Sequence, residues 1–294
     1  MKKACLAFAI LFLISALLAV CFGAAVGARE LKEIAAGNSS VNSNRWIDSL
    51  RDWYAQRRWG GDESLLDTTT LEFAVAPQEK LHIAFETAQV QVLPSENGAA
   101  YIQFRYYGTG DALSSGQLPY LEREGGVLYV GTRLPENAAA SRVEADIYLP
   151  QEQLAALEAH IDMGELVVEG LRCKAVEANV QVGDISFRSC LVDRAELTAD
   201  TGNLAWEGGN LAAGSLSMHA GVGDIRLEWP KSMGFQLRYK IGTGEFQNAF
   251  GQADSSVTEG PARSSSGTFS YGEEGCTMEM TTSAGNIILS SIIS

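Results

Sequence analysis
Seven positions along this chain place an oxygen-bearing side chain directly after a recurring small residue: Gln89, Glu165, Asp184, Asn203, Asp224, Glu245 and Asn286. Oxygen donors stacked at a regular interval are what a hard divalent cation such as calcium takes as ligands. The carboxylates among them, Glu165, Asp184, Asp224 and Glu245, are therefore the candidate metal residues, and calcium is the only cofactor they invite. Turns ask for the same residues for another reason, because acids and amides bond the local backbone. The paired glycines and short period of calcium-binding nonapeptide repeats are missing, which favours turn chemistry. A phosphate loop is excluded: Gly202 is followed by Asn203-Leu204-Ala205-Trp206, a strand rather than a lysine and a helix start.

A second acidic row precedes the same small residues by six positions: Glu158, Glu177 and Glu196, continuing through Ser217 and Arg238 to Glu279. Alternation turns it toward solvent, as a solvated face or a surface for a cation or basic partner. The histidines are His82, His160 and His219. His160 and His219 share one outward slot but stand three repeats apart, too far to share a zinc ion. A catalytic histidine needs a partner within hydrogen-bond reach, and the repeats offer none. Glu177, Glu196, Arg226 and Arg238 are too dispersed for a polysaccharide lyase. The expectation is a chain that binds rather than catalyses, with no catalytic or cofactor-binding residue and a glycan-processing β-helix enzyme as the alternative.

What positions these residues is a repeat. Gly164, Gly183, Gly202, Gly223, Gly244 and Gly285 follow one another at intervals of 19, 19, 21, 21 and 41 residues. Ala88 takes the glycine place in an earlier copy, LHIAFETAQVQV. At seven, five and three residues before each anchor, and two and four after it, every slot but Thr282 and Asn248 is apolar. Such alternation turns one face of each strand inward on both sides of a tight corner. Glycine suits a corner of positive φ. One strand–corner–strand unit cannot bury its face alone, whereas stacked copies can. The spacing therefore predicts an all-β, single-domain β-solenoid, a parallel β-helix with coils of about 20 residues, over residues 67–294. YIQFRYY, VLYVGT and VEADIYLP add β-type segments ahead of the regular copies. Residues 251–275, rich in glycine and serine, read as an excursion replacing or decorating one coil. The chain then stops at IILSSIIS, straight after its last copy. Solenoids need caps, so Ile292 and Ile293 mark a candidate partner edge, available to a second copy, unless the excursion folds over that end.

These copies, the entry LHIAFETAQVQVLPS and the closing CTMEMTTSAGNIILSS resemble the putative-adhesin family of bacterial β-solenoid surface domains. The resemblance covers roughly residues 67–294. It implies a domain of unknown function behind an N-terminal membrane anchor, and it supplies no catalytic residues. Ala88 departs from the glycine pattern, which implies a less sharp first corner.

The N-terminus agrees with a surface location. Two lysines precede an uncharged apolar stretch from Ala4 to about Val26, long enough for a bilayer. Residues 1–28 are read as a membrane anchor, with lysines cytoplasmic and the rest outside. Val26-Gly27-Ala28 offers the alternative of signal cleavage and secretion. Residues 29–66 form a polar tether with a short amphipathic helix, where Trp46, Ile47, Leu50, Trp53 and Tyr54 recur at helical spacing. That stripe suits a membrane surface or the open end of the following domain. The net charge of −14 argues against nucleic acid and leaves envelope polymers or surface proteins as partners, in adhesion or envelope stress signalling. Cys173, Cys190 and Cys276 fall in a compartment that permits disulfides. A Cys173–Cys190 bridge and three free thiols are both compatible with the sequence.

Overall fold
The computed structural model describes residues 64–292 except 77–78, 97, 109–118, 133–139, 151–153, 252–254, 260–263 and 274. The anchor, residues 29–63 of the tether with its amphipathic stripe, and Ile293 lie outside the described residues. Asp62–Ser294 form one compact unit. Its described elements are all strands, joined in one 18-stranded sheet. The first begins at Ser64, just ahead of the expected start at Asp67. Among the described residues no helix is long and apolar enough to cross a membrane.

The strands are β1 (Ser64–Phe73), β2 (Lys80–Pro94), β3 (Ala100–Gly108), β4 (Pro119–Glu124), β5 (Val127–Thr132) and β6 (Ala140–Leu149). Then come β7 (Leu154–Glu169), β8 (Arg172–Arg188), β9 (Leu191–Thr201), β10 (Leu204–Glu207), β11 (Asn210–Val222) and β12 (Ile225–Pro230). The last six are β13 (Phe235–Thr243), β14 (Phe246–Asn248), β15 (Ser255–Glu259), β16 (Ser265–Tyr271), β17 (Cys276–Ala284) and β18 (Ile287–Ile292). Each repeat contributes a first limb before its corner and a second limb after it. In β2, β7 and β8 one strand passes through both limbs. Neighbouring repeats pair in parallel with anchors aligned, Gly164 opposite Gly183 and Ala88 opposite Gly164.

The corner explains the glycines. All six have φ between 141° and 152°, where a side chain is strained. At Gly183 a Cβ would also lie 1.6 Å from the carbonyl oxygen of Gly164, so the coils stack too closely there for any side chain. Ala88 escapes both conditions. It has no positive φ, and the strand beyond it presents Val143 rather than another glycine corner.

Inward slots fill one continuous core. Leu157, Val176, Ala195 and Leu216 are buried in successive first limbs, as are Leu166, Ile185, Leu204 and Ile225 in second limbs. Each large aliphatic side chain removed from water contributes about 1.5–3 kcal/mol. Phe187 and Trp206 stack in register, with ring centroids 5.6 Å apart and planes 8° from parallel. The two polar exceptions have local explanations. Thr282 is buried and donates its hydroxyl to the Gly223 carbonyl at 3.0 Å. Asn248 ends a second limb, accepting the Phe250 N–H at 2.8 Å and donating to the Gly251 carbonyl at 3.1 Å.

The stacking order differs from the order of the sequence. β17 pairs with β11 on one side and β13 on the other, Met278 lying opposite both Leu216 and Leu237. β18 likewise lies between β12 and β14. The final repeat is thus inserted between the repeats of Gly223 and Gly244. The chain skips one position, builds the outermost coil, and returns to fill the gap. The expectation of an unpaired terminal coil is corrected accordingly: Ile292 lies opposite Pro230. Residues 251–275 instead supply β15 and β16. β16 runs antiparallel along β13, with Phe269 opposite Leu237, and closes an edge that would otherwise be open.

The other end is also larger than the repeat pattern implies. β5 and β6 pair in parallel with the two halves of β2, forming a further coil whose limbs are separated by residues 133–139. Antiparallel strands finish this end: β4 on β5, then β3 on β6 and β1 on β3.

Candidate functional site
The amide and carboxylate row follows the spatial order of the coils, and so it alternates. Asp184 Oδ1 accepts the Asn203 backbone N–H at 2.6 Å and its Nδ2 at 3.0 Å. Asn203 Oδ1 accepts the Asp224 N–H at 2.9 Å. Asp224 Oδ1 accepts the Asn286 N–H at 2.7 Å and its Nδ2 at 3.1 Å, and Asn286 Oδ1 accepts the Glu245 N–H at 3.0 Å. Burial pushes the Asp184 and Asp224 carboxyls above the usual range, and the Asn203 and Asn286 donors only partly counter it.

This arrangement does not gather the candidate metal residues. Asn203 separates Asp184 from Asp224 and Asn286 separates Asp224 from Glu245, so these acids are about two strand spacings apart, roughly 10 Å. Only Glu165 and Asp184 are direct neighbours. Their row carries N–H donors between its acids, whereas calcium takes six to eight oxygens. Among the described residues no group of three or more His, Cys, Asp or Glu is placed to hold a metal ion.

On the first limb Glu158, Glu177 and Glu196 do occupy adjacent strands, and Glu279 falls between Ser217 and Arg238. Glu158 pairs with Lys80, which holds its carboxyl below the usual range. His82 Nδ1 lies 3.6 Å from the same carboxylate. His160 Nε2 is 3.0 Å from Asp162, to which Gln181 also donates at 2.9 Å. His219 stands three strands away from His160, beyond Asn179 and Thr198. The histidines are not brought together. Cys173, Cys190 and Cys276 are buried free thiols. The Cys173–Cys190 bridge does not form: Cys173 lies opposite Leu154 and Val192 in the ladder. Burial pushes the Cys173 thiol up to about 12 and Cys190 up to about 11.

The most organised polar surface was not singled out by the repeat pattern. In YIQFRYY and VEADIYLP every second residue faces outward, while Ile102, Phe104, Tyr106, Val143, Ala145 and Ile147 enter the core. The β3–β6 register sets Tyr101 opposite Tyr148, Gln103 opposite Asp146, Arg105 opposite Glu144, and Tyr107 opposite Arg142. Tyr101 and Tyr148 stack with centroids 4.4 Å apart. Arg105 donates to Glu144 at 2.9 Å, Asp146 at 2.8 Å and Gln103 at 3.0 Å. Arg142 donates to Glu144 at 2.7 Å and to Gln89 at 3.2 Å, and its guanidinium lies 4.1 Å from the Tyr107 ring centroid. The Tyr107 hydroxyl completes the set by donating to Glu144 at 3.1 Å. Burial works against the Arg105 charge, but the bonds from Glu144 and Asp146 outweigh it and raise its pKa. Burial, with the charge on Asp146, raises that of Tyr148, so the phenol stays protonated. Side chains locked by charge-assisted bonds are held ready for contact, since little rotamer freedom remains to be lost. Strand alternation was the available signal for these outward residues; their pairing across strands was not readable from it.

A family model, Toastrack DUF4097, matches residues 120–290. No curated protein matches the chain. Among solved structures, a "putative cell adhesion protein" from Clostridium sporogenes ATCC 15579 is 13% identical, with 77% of this chain and 99% of that one covered and a TM-score of 0.44. A "putative adhesin" from Bacteroides fragilis NCTC 9343 is 13% identical, covering 76% and 97% with a TM-score of 0.41. A "putative lipid binding protein" from Parabacteroides distasonis ATCC 8503 is 12% identical, covering 76% and 97% with a TM-score of 0.33.

Proposed function
Because this chain belongs to the Toastrack DUF4097 family, we propose that it is a non-enzymatic, membrane-anchored β-solenoid that presents a binding surface outside the cytoplasm. Its partner is an envelope polymer or a surface protein. The observation that carries this reading is the outward face of β3 and β6, where charge pairs and stacked tyrosines are fixed on a backbone buried from behind. The parallel coils supply the rigid rack behind that face. The uncharged stretch from Ala4 to Val26 supports a single-pass anchor with the lysines inside, and signal cleavage with secretion is the competing route. Self-association is proposed at the far end of the stack, where, among the described residues, β14 pairs with β18 alone, rather than along β18 itself.

The test is capture of partners by the full-length chain, held in detergent, from envelope extract with and without calcium. Specific retention of a polymer or surface protein is the expected result. Turnover of a polysaccharide panel, abolished by replacing a single outward acid, would overturn the non-enzymatic reading in favour of a glycan-processing β-helix. Retention that requires calcium would return the row of Glu165, Asp184, Asp224 and Glu245 to consideration as a metal ladder.

A further inference from the structure
We propose that the open edge of β1 takes an extended, basic segment of a partner protein as an added strand. The inference rests on the reading of the chain as a surface-binding protein and narrows its partner to a polypeptide.

Among the described residues four strands have a neighbour on one side alone: β1 on β3, β4 on β5, β14 on β18 and β15 on β16. A bare edge is a template for another chain, so edges are usually blunted by shortness, proline or charge. β14 has three residues and β15 five. β4 opens on Pro119 and ends on the exposed run Glu122-Arg123-Glu124, and Arg123 folds back onto Glu79 and the Ala74 carbonyl. β1 is ten residues long. A register shift at Leu66, and Asp67 opposite the buried Tyr106, blunt its start. From Thr68 to Phe73 the register is unbroken, with no proline, lysine or arginine.

Main-chain groups are available along that stretch. Thr68 donates its N–H to the Asp67 carboxylate at 2.8 Å, a bond that turns this N–H away from β3. Alternation then puts the N–H groups of Thr70 and Glu72 on the same open side. An extended polypeptide supplies N–H and C=O groups at the matching interval, and main-chain pairing of this kind is how peptides add to a sheet edge.

The side chains suit the same addition. Ile102, Phe104 and Tyr106 on β3 are buried, whereas Leu71 and Phe73 on β1 pack against the core only partly covered. A further strand with apolar residues at alternate positions would complete their burial. Leu65, 53% exposed, offers a second apolar contact at the start of the edge. On the other face stand Thr68, Thr70 and Glu72, beside Arg105, Gln103 and Tyr101. A lysine or arginine across from Glu72 makes a favourable cross-strand pair. A second copy of β1 holds no such cation in any register, and two chains of net charge −14 repel.

The test is binding of the full-length chain, held in detergent, to short arrayed peptides with valine at every second position and lysine and threonine between. Counterpart peptides carry glutamate for lysine, or N-methyl groups on alternate amides. Binding to the basic, unmethylated peptides alone is expected. Proline is tolerated where an edge N–H faces solvent. Thr70→Pro should therefore fold and weaken binding about tenfold through the lost main-chain bond. Glu72→Lys should weaken the basic peptides and admit the acidic ones, while Glu196→Gln on the first limb changes nothing. Circular dichroism and the melting temperature establish that each variant is folded, and Glu72→Lys carries the test if Thr70→Pro does not fold. Wild-type protein that ignores the basic peptides, or holds the N-methylated ones as tightly, overturns strand addition. Self-association that Thr70→Pro abolishes makes a second copy the occupant and overturns the foreign partner. If envelope extract yields a specific partner that Thr70→Pro retains, the surface-binding reading stands and only the edge falls.

Discussion
Asn203 stands between Asp184 and Asp224, donating two N–H groups to the first and accepting the backbone N–H of the second. One side chain thereby links three coils and keeps two carboxylates, both with raised pKa, from meeting directly.

Replacing it tests that role. Asn203→Asp removes the Nδ2 donor from Asp184 and makes an unbroken row of four acids in consecutive coils, from Glu165 to Asp224. A loss of about 1–3 kcal/mol at neutral pH is expected from the unmet acceptor alone, with like-charge repulsion added to it. Urea unfolding measures the loss, which should shrink as acid protonates the row. A loss independent of pH would show that repulsion plays no part.

The wild-type acids have their own pH signature. Because the folded-state pKa values of Asp184 and Asp224 are raised, the folded form holds these protons more firmly than the unfolded chain does. Their contribution to stability is fully present below the unfolded value, about 3.9, and is lost as pH rises through the higher folded values. Asp184→Asn keeps an oxygen acceptor for Asn203 and cannot ionise. It should be more stable than wild type at pH 7, with the advantage vanishing near pH 4. Denaturation midpoints for both proteins across that range decide the matter; a constant difference would refute the linkage.

The glycine corner predicts a sharp contrast between two substitutions. Gly183→Ala must accommodate a Cβ 1.6 Å from the Gly164 carbonyl oxygen at φ 141°. It should cost more than about 3 kcal/mol, beyond the ordinary range for a single strained residue. Gly98 also has positive φ, 73°, but a Cβ there meets nothing within 4 Å. Gly98→Ala should cost only the left-handed penalty, about 1–2 kcal/mol. Equal losses in the two variants would mean that stacking distance does not set the requirement.

The inserted coil can be tested by cross-linking. Ser217 lies opposite Glu279, whereas Arg238 lies one strand further on, opposite Glu279's other side. A disulfide needs Cα atoms within about 7 Å, so Ser217→Cys with Glu279→Cys should oxidise to an internal bridge. Ser217→Cys with Arg238→Cys, about two strand spacings apart, should remain reduced. Mass spectrometry of the oxidised proteins reads the outcome, and the reverse pattern would restore the sequential order.

Outward residues illustrate how far the chain could be read. Asp184, Asn203 and Asp224 were recognisable as one row because each follows a glycine. Their bonding was not, because Asn286 joins them from 62 residues beyond Asp224. The β3–β6 face was legible only as alternation. That Tyr101 meets Tyr148 and Arg105 meets Glu144 depends on an antiparallel register between segments about 40 residues apart in sequence. The coil of β5 and β6 was hidden likewise, because Val143 rather than a glycine lies opposite the anchor position Ala88.

By itself the sequence determined which residues face inward and where the chain must turn. Alternation has period two whatever a strand pairs with, and positive φ excludes side chains wherever the corner lies. Only the tertiary structure decided which coil lies beside which. The inward slots of the repeats around Gly223, Gly244 and Gly285 are all apolar apart from Asn248 and Thr282, so in this respect each could stack on either of the others. The antiparallel hairpin of β15 and β16 covers β13 and leaves the place beside β11 to the last coil. The alternation of Asp224, Asn286 and Glu245 follows from that long-range choice.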